Sequence, residues 1–428
     1  MNWYRAKRFL AFLKGTGRNF LRFLKWVAVS CFIGIVVGLA GTAFSYGMQA
    51  ATNFRTLHPM IILGLPVAGL VITLLYHLAH RDNDKGTNSV ISAVRSEDEL
   101  SIVMAPLIFV STILTHLFGG SAGREGAALQ LGGSIGNWFG RIFHMNKADV
   151  RVMIMCGMSA CFAALFGTPM AAAVFSLEVV SVGIMYYSAL VPCALSSLVA
   201  VGIARTLGVS GEAMTIASIP EFNLPNGGKT LLLAILCAVL SVVFCVTLHA
   251  AASYGKKWIP NRYARIAAAG VLIIVLTALL QTTDYMGAGM NIIERCMEGE
   301  VEPGAFLFKL LFTAITLGAG YKGGEIVPSF FVGATFGCMM GGLLGLSPSL
   351  CAAVGMTAVF CGVTNSPITS LLISLELFGM EAFPFFLIGI SVSYMLSGYQ
   401  SLYHTQKIVY SKYKAEYAGE EEGKESNG

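Results

Sequence analysis

The strongest chemical signal in the sequence is a glycine-rich segment that carries one arginine and one glutamate. Residues 119–127 read GGSAGREGA, and an apolar run follows them. Glycines let several backbone N–H groups point at one place, and the N-terminus of a helix that starts there attracts anions. Glu125 places a carboxylate at that point, so it could occupy an anion site when ionised and leave it when protonated. The alternative is an Arg124–Glu125 ion pair that bridges helices.

A second segment of the same kind lies in the other half of the chain. Residues 318–328 read GAGYKGGEIVP, and Pro328 with the apolar run after it predicts another helix start. At the offset of 201 that pairs Gly123 with Gly324, the acid Glu325 lies one position before the counterpart of Glu125. Two such helix starts facing each other would form a dehydrated anion site, with Glu325 as a second proton acceptor. The alternative is that Glu325 caps its helix.

These segments belong to a longer internal repeat, which predicts how they are positioned. Four short sequence features recur in the same order at offsets of 198 to 203. The first is GTNSVI at residue 86, which recurs as GMNII at 289, and the second is the glycines at 132, 136 and 140, which recur at 333, 337 and 341. The third is GMSACF at 157, which recurs as GMTAVF at 355, and the fourth is Thr168-Pro169, which recurs as Ser366-Pro367. Two repeats are predicted, over residues 27–206 and 229–405, joined by a linker at 207–228. The Thr-Pro and Ser-Pro pairs predict capped helix starts.

Composition indicates where such a chain resides. Only 12% of the 428 residues are charged and 55% are hydrophobic, whereas a soluble domain carries about 25% charged residues. This excludes a soluble enzyme, a disordered protein and a nucleic-acid binder. Several apolar stretches are shorter than the roughly 20 residues of a full crossing, which favours helices that end part-way through the bilayer. The prediction is an all-α integral membrane protein with two repeated halves that contain tilted and half-membrane helices, and the residues alone leave open whether the halves are parallel or inverted.

The two ends of the chain differ in charge. Residues 1–26 contain seven basic residues and no acidic one, which predicts an amphipathic helix on the cytoplasmic face of the cell membrane. Residues 406–428 end in an acid-rich run and predict a charged cytoplasmic tail. The ten cysteines form no CxxC pair and have no histidine at a zinc spacing, so neither a metal site nor a cofactor is predicted.

One motif suggests a different function. Gly132, Ser134 and Gly136 match the G-x-S-x-G nucleophile elbow of serine hydrolases, which would make this an intramembrane hydrolase. That motif requires a strand before it and a helix after it, whereas here the glycines continue a helical GxxxG period. A transporter is therefore favoured over an enzyme.

The GREG and GGEIVP segments together resemble the CLC family of chloride channels and anion/proton antiporters. The resemblance covers residues 26–405 and implies an inverted-repeat helical fold, a homodimer and one anion pathway per subunit. It implies that Glu125 is the gating glutamate that carries the proton and that Thr87 and Tyr403 contact the anion. It also implies that backbone donors from the second segment, at Glu325 and Ile326, bind it. The predicted anion-binding set is Thr87, Asn88, Gly123, Arg124, Gly324, Ile326 and Tyr403.

Departures from the family pattern bear on the transported anion. Val179 stands where chloride/proton antiporters have an inner proton-transferring glutamate, and Ala127 replaces a proline. The KGGE sequence ending at Glu325 is similar to that of the fluoride-exporting branch, whereas Thr87 and Val327 differ from that branch. Fluoride export in exchange for protons is predicted, with chloride/proton exchange or a chloride channel as the alternative. Because the cytosolic CBS domains of eukaryotic members are missing, a prokaryotic source is expected.

Overall fold

The computed structural model describes residues 2–96, 100–414 and 416–418, and for residues 2–15 it describes the backbone alone. Within that part of the chain it contains sixteen α-helices. The first eight are α1 Asn2–Leu57, α2 Leu65–Leu78, α3 Thr87–Arg95, α4 Met104–Leu117, α5 Glu125–Ile142, α6 Lys147–Phe166, α7 Pro169–Glu178 and α8 Leu190–Thr206. The other eight are α9 Leu224–Trp258, α10 Arg262–Leu280, α11 Met290–Glu298, α12 Ala305–Ala319, α13 Ile326–Leu344, α14 Pro348–Thr364, α15 Pro367–Phe378 and α16 Phe383–Leu396.

Short elements complete the fold. Single 3-10 helices at Pro59–Gly64 and Tyr187–Ala189 precede α2 and α8. Strands β1 (Ser181–Val182) and β2 (Lys407–Ile408) pair in parallel, which attaches the segment after α16 to the segment between α7 and α8.

The apolar helices fall into two classes, those long enough to cross a bilayer and those that are shorter. Among the described residues, seven helical stretches are long and apolar enough to cross a membrane, including those of α1, α6, α9 and α13. Six further apolar helices have only 10–17 residues, among them α7, α12 and α15. The predicted mixture of full and partial crossings is therefore confirmed, and the chain is an all-α membrane protein.

Glycines hold the central helices of each half together. In the first half α5 packs on α6, and in the second half α13 packs on α14. A side-chain carbon added to Gly132 would collide with the carbonyl oxygen of Gly157, and one added to Gly333 would collide with that of Gly355. The GxxxG runs thus allow backbone-to-backbone contact, which suits helix packing in lipid.

Reciprocal hydrogen bonds relate the two halves. The N–H of Gly123 donates to the carbonyl oxygen of Gly324 at 2.7 Å, and the N–H of Gly324 donates to that of Gly123 at 2.7 Å. Since each residue makes the same bond to its repeat counterpart, the halves meet through a two-fold relation at this point. This pair joins the loops in front of α5 and α13.

A second reciprocal contact involves Glu178 and Glu376, which lie 198 positions apart near the ends of α7 and α15. Each carboxylate accepts hydrogen bonds from the first N–H groups of the short helix in the opposite half. Glu178 accepts from Ile368 at 3.0 Å and Thr369 at 2.8 Å. Glu376 accepts from Met170 and Ala171, both at 2.9 Å. The predicted cap residues Thr168 and Ser366 make no side-chain cap bond within the described chain. The helix starts are as predicted, but the caps come from the other half.

The N-terminal basic segment is part of a longer helix. α1 runs without a break from Asn2 to Leu57, so there is one helix where the sequence predicts a boundary at residue 26. The segment contains no proline, the residue that ends helices most effectively. Lys25 pairs with Asp149 at 3.1 Å, while the basic side chains of residues 2–15 lie outside the described residues.

The linker and the tail are also more closely packed than the sequence predicts. In the linker before α9, the N–H of Glu212 donates to Phe166 at 3.1 Å and that of Met214 donates to Leu377 at 2.9 Å. The linker therefore contacts both halves. In the tail, Lys412 donates to the carbonyl oxygen of Tyr394 at 2.9 Å, so this part is attached to the membrane domain rather than solvated. Residues 419–428 lie outside the described chain.

Candidate anion and proton site

Glu125 is the first residue of α5, and its side chain is fully buried. Its Oε2 accepts hydrogen bonds from the N–H of Arg124 at 3.0 Å and from the N–H of Val327 at 3.3 Å. These donors lie at the starts of α5 and α13, so the carboxylate occupies the place where two helix N-termini meet. Such N–H groups have no partner within their own helices and bind anions readily. The carboxylate here stands in for an anion.

The loops around this carboxylate leave little room for side chains at three glycines. A side-chain carbon on Gly123 would lie 2.5 Å from Glu125 Oε2, and one on Gly324 would lie 2.6 Å from the N atom of Gly126. One on Gly126 would lie 2.9 Å from the Thr87 hydroxyl oxygen. Gly123 and Gly324 thus form the bridge between the halves, and they shape the site through their backbones.

Two carboxylate oxygens at the site lack a hydrogen-bond partner. Glu125 Oε1 and Glu325 Oε2 are both buried, and neither makes a hydrogen bond within the described chain. Glu325 is the N-cap residue of α13, but its side chain forms no cap bond there, contrary to the capping alternative. Unpartnered buried polar atoms are uncommon in folded proteins.

Tyr403 supplies a third polar group of this kind. Its ring is buried, and its hydroxyl has no partner among the described residues. The hydroxyl interacts electrostatically with both Glu325 and Glu125. The structure therefore brings together Glu125, Glu325 and Tyr403, which come from widely separated parts of the sequence.

Thr87 and Gln130 form the polar wall on the side of the first half. Thr87 is buried at the start of α3, with its hydroxyl 3.4 Å from the carbonyl oxygen of Gly126. Gln130 Nε2 donates to that same carbonyl at 3.1 Å, while Gln130 Oε1 has no partner in the described part. Sequence reasoning missed Gln130, although a lone amide five residues after Glu125 in an apolar run was a signal.

Asn88 lies beside Thr87 but contacts a different segment. Its Oδ1 accepts hydrogen bonds from the N–H of Thr405 at 3.2 Å and from the Thr405 hydroxyl at 3.1 Å. Arg95 donates to the carbonyl oxygen of Thr405 from the other end of α3. These contacts attach the start of α3 to the segment that carries Tyr403, and anion binding by Asn88 stays a prediction.

The second helix start presents a pair of backbone donors. Ile326 is the first residue of α13 and its side chain is fully buried. The first-turn N–H groups of Ile326 and Val327 have no helical acceptor, and Pro328 has no N–H. Val327 donates to Glu125, so the donor that reaches the carboxylate lies one position after the predicted Ile326.

Lys322, in the KGGE sequence, points away from the two acids. Its Nζ lies 3.0 Å from Asp84 Oδ2 and 4.1 Å from the centre of the Tyr76 ring. Asp84 lies three residues before Thr87, so the ion pair ties the loop before α3 to the loop before α13. Lys322 therefore positions both polar segments rather than contacting the carboxylates.

Arg124 connects the site to a large cavity. Its Nε lies 3.8 Å from Glu125 Oε1, and its other end donates to Glu212. Both Arg124 and Glu212 line a cavity of about 1010 Å³. Glu125 itself lies beyond this wall, so the guanidinium stands between the cavity and the buried carboxylate.

The serine of the apparent nucleophile elbow has a different setting. Ser134 lies in the middle of α5, and its hydroxyl is buried without a partner among the described residues. No strand precedes it, since the residues before it in α5 are helical. The backbone turn that exposes the nucleophile in hydrolases is missing here, so the motif reflects helix packing.

Comparison with known proteins identifies the family. Residues 68–398 match the family described as voltage gated chloride channel, CLC. The chain belongs to the CLC family. A chloride/fluoride channel protein of Pseudomonas syringae pv. tomato is 34% identical over 91% of this chain and 88% of its own length. An H+/Cl− exchange transporter of Vibrio cholerae serotype O1 is 25% identical over 82% of this chain and 81% of its own.

Solved CLC structures agree with this fold. The crystal structure of a CLC-type fluoride/proton antiporter has a TM-score of 0.87 and 32% identity, and the match covers 91% of this chain and 99% of that one. A slow cyanobacterial Cl−/H+ antiporter has a TM-score of 0.76 at 20% identity, over 87% and 94% of the two chains. The predicted family and fold class are confirmed, and this CLC protein is a multi-pass membrane transport protein with bacterial relatives.

Proposed function

We propose that this CLC protein exports fluoride in exchange for incoming protons. The observation that carries the proposal is the pair of buried carboxylates, Glu125 and Glu325, each of which has one unpartnered oxygen and interacts electrostatically with the Tyr403 hydroxyl. The similar proteins support it, because one at 34% identity is named a chloride/fluoride channel protein and one at 32% is a fluoride/proton antiporter.

Glu125 is the moving part of the proposed mechanism. When ionised, it accepts the N–H groups of Arg124 and Val327 and so blocks the anion from them. When it binds a proton, its oxygen becomes a weaker acceptor, the side chain leaves, and the anion takes its place on these donors. A proton and an anion thus use the same place in turn, which couples their movements in opposite directions.

Glu325 is the proposed second proton acceptor. Val179 stands where chloride/proton antiporters of the family have an inner glutamate, so the proton needs another carboxylate. Glu325 supplies one close to the Tyr403 hydroxyl, and its unpartnered oxygen leaves it ready to accept. An acid within a membrane domain is a functional candidate by default because burying it without a role is costly.

The donors of the site suit a small anion. Fluoride is strongly hydrated and accepts hydrogen bonds well, so removing its water requires close donors. Thr87, Tyr403 and the first-turn N–H groups of α13 are such donors, and the glycines at 123 and 324 keep them close together. Chloride/proton exchange on the same fold is the second candidate, favoured by Thr87 and Val327, which differ from the fluoride branch.

The assembly and its place in the membrane follow the family resemblance. The proposal includes a homodimer with one anion pathway in each subunit, and inverted repeats over residues 27–206 and 229–405. The basic residues near the start of α1 place that end at the cytoplasmic face.

Liposome flux separates the two anions. Purified protein is reconstituted into vesicles loaded with fluoride or chloride, and efflux is followed by ion-selective electrodes together with a pH probe. Fluoride should leave at least about tenfold faster than chloride, which equals about 1.4 kcal/mol of discrimination, and protons should enter with it. Chloride efflux as fast as fluoride efflux, or fluoride efflux without proton uptake, would contradict the proposal.

A further inference from the structure

We propose that Glu212, in the linker between the repeats, is the residue through which protons from the outer solution reach Glu125. This inference rests on the proposed exchange of anion for protons. It gives a role in proton transfer to a linker residue that lies outside both glycine segments.

The first argument is the shared guanidinium. Arg124 donates to Glu212 with one end and lies 3.8 Å from Glu125 Oε1 with the other. Two carboxylates and one guanidinium leave one excess negative charge. Because arginine keeps its proton in proteins, the group favours binding one proton on either carboxylate. The arrangement is therefore suited to passing a proton between the two acids.

The second argument is access. Glu212 and Arg124 line the cavity of about 1010 Å³, while Glu125 is fully buried behind them. The Glu212 side chain is 19% exposed. A proton in the cavity can therefore reach Glu212, which lies on the cavity side of Arg124, while Glu125 lies behind Arg124.

The third argument is that backbone contacts of the linker fix Glu212 beside Arg124. The N–H of Glu212 donates to Phe166 at the end of α6, and the N–H of Met214 donates to Leu377 in α15. Gly167 packs against the backbone of Gly211, where an added side-chain carbon would lie 2.5 Å from the Gly211 Cα. The linker is thus fixed to both halves on each side of the carboxylate.

The cavity lies at the face opposite the basic end of α1. It is lined by Ser45 and later residues of α1, whereas Lys25 lies twenty residues earlier. That distance is about 30 Å along a helix, the thickness of the hydrocarbon core. If the basic end is cytoplasmic, the cavity opens to the outer solution, from which protons enter.

Charged groups from several elements face Glu212. Arg124 and Glu294 interact with it most directly, and the cavity wall also contains Arg55, His116, Asp284 and Glu298. Burial raises the pKa of the Glu212 carboxyl, the charge of Arg124 opposes that rise, and the charge of Glu294 adds to it. Glu294 should therefore strengthen proton capture by Glu212.

The proton transfer balances simply. A hydronium ion in the cavity gives its proton to the Glu212 carboxylate and leaves a water molecule. The resulting acid passes that proton through an intervening water to the Glu125 carboxylate and is ionised again. Arg124 remains protonated throughout and turns toward whichever carboxylate is charged.

The test measures proton-coupled fluoride efflux from vesicles while the outer pH is varied and the inner pH is fixed. Glu212→Gln should lower coupled proton uptake by about threefold to tenfold and flatten its dependence on outer pH. Glu298→Gln removes the same charge from the same cavity and should behave as wild type. Glu212→Asp keeps a carboxylate and should retain coupling. Wild-type uptake and pH dependence in Glu212→Gln would overturn the inference.

A second variant leaves the Arg124–Glu212 pair intact, in case the first does not fold. Glu294→Gln removes the charge that helps Glu212 bind a proton, so the midpoint of uptake should move to lower outer pH. An unmoved midpoint in that variant would also overturn the inference. If wild-type protein itself takes up no protons, the proposed exchange fails; if it does and these variants match it, only the role of Glu212 fails.

Discussion

The two glycine segments have the same backbone contacts but place their acids differently. Gly123 and Gly324 exchange identical hydrogen bonds, yet Glu125 is the first residue of α5 while Glu325 is the N-cap residue of α13. One position corresponds to about 100° around a helix axis. That rotation lets Glu125 reach the N–H of Val327 in the other half, whereas Glu325 Oε2 has no such partner in the described chain.

This difference divides the chemistry between two equivalent halves. The backbone supplies donors symmetrically, but one carboxylate occupies them and the other does not. In the proposed mechanism Glu125 leaves before an anion binds, whereas Glu325 accepts a proton on its unpartnered Oε2. A shift of a single residue in a duplicated scaffold would then give one gating acid and one proton acceptor that stays in place.

Glu125→Gln should give the largest effect. The amide oxygen can still accept an N–H, so the fold should persist, but the side chain can no longer carry a proton. Proton uptake by reconstituted vesicles should fall by about tenfold or more, to the background of empty vesicles. Glu298→Gln, at the cavity wall, is the matched control and should keep its uptake. Proton uptake that survives in Glu125→Gln would remove the gating role.

Glu325→Gln should give a smaller effect. Because its Oε2 makes no hydrogen bond to lose, the protein should elute as the same single species in detergent. Proton and fluoride fluxes should both fall by about threefold to tenfold, since a proton acceptor is lost while the gate remains.

The proposed division of roles between the two acids is wrong if Glu325→Gln loses more proton uptake than Glu125→Gln. A Glu325→Gln protein with less proton uptake than Glu125→Gln would make Glu325 the main carrier. Wild-type fluxes in Glu325→Gln would leave it with no transport role.

The sequence predicted the backbone of the site better than its side chains. Glycine spacing and the repeat located both helix starts, because close approach of backbones excludes every other residue. It did not predict that Val327 reaches Glu125, since one position of helix rotation is invisible without coordinates. Nor did it predict the contacts of Asn88 with Thr405, because that residue lies more than 300 positions away in the chain.

The linker shows the same limit for tertiary structure. Residues 207–228 have the composition of a polar connection, so nothing in them predicts burial or contact with a site. Glu212 lies against Arg124 because Phe166 and Leu377 hold the linker at the ends of α6 and α15. Neither contact is part of a periodic sequence pattern, whereas helices are predicted from sequence by the periodic spacing of their apolar residues.

The smallest predicted effect concerns stability and compares the two reciprocal caps. Glu178 accepts two N–H groups and the Thr369 hydroxyl, at 2.6 to 3.0 Å, and is 6% exposed. In Glu178→Gln the amide NH2 faces one of these donors, which leaves a buried donor unpaired and should cost about 1–3 kcal/mol. Glu376 accepts two N–H groups and is half-buried, so in Glu376→Gln water can accept from the donor that is left unpaired.

The thermal unfolding midpoint in detergent should therefore fall more for Glu178→Gln than for Glu376→Gln, with fluoride and proton flux ratios unchanged in both. Equal falls would mean that the two caps are equivalent in energy as well as in geometry, and a changed flux ratio would give Glu178 a part in transport.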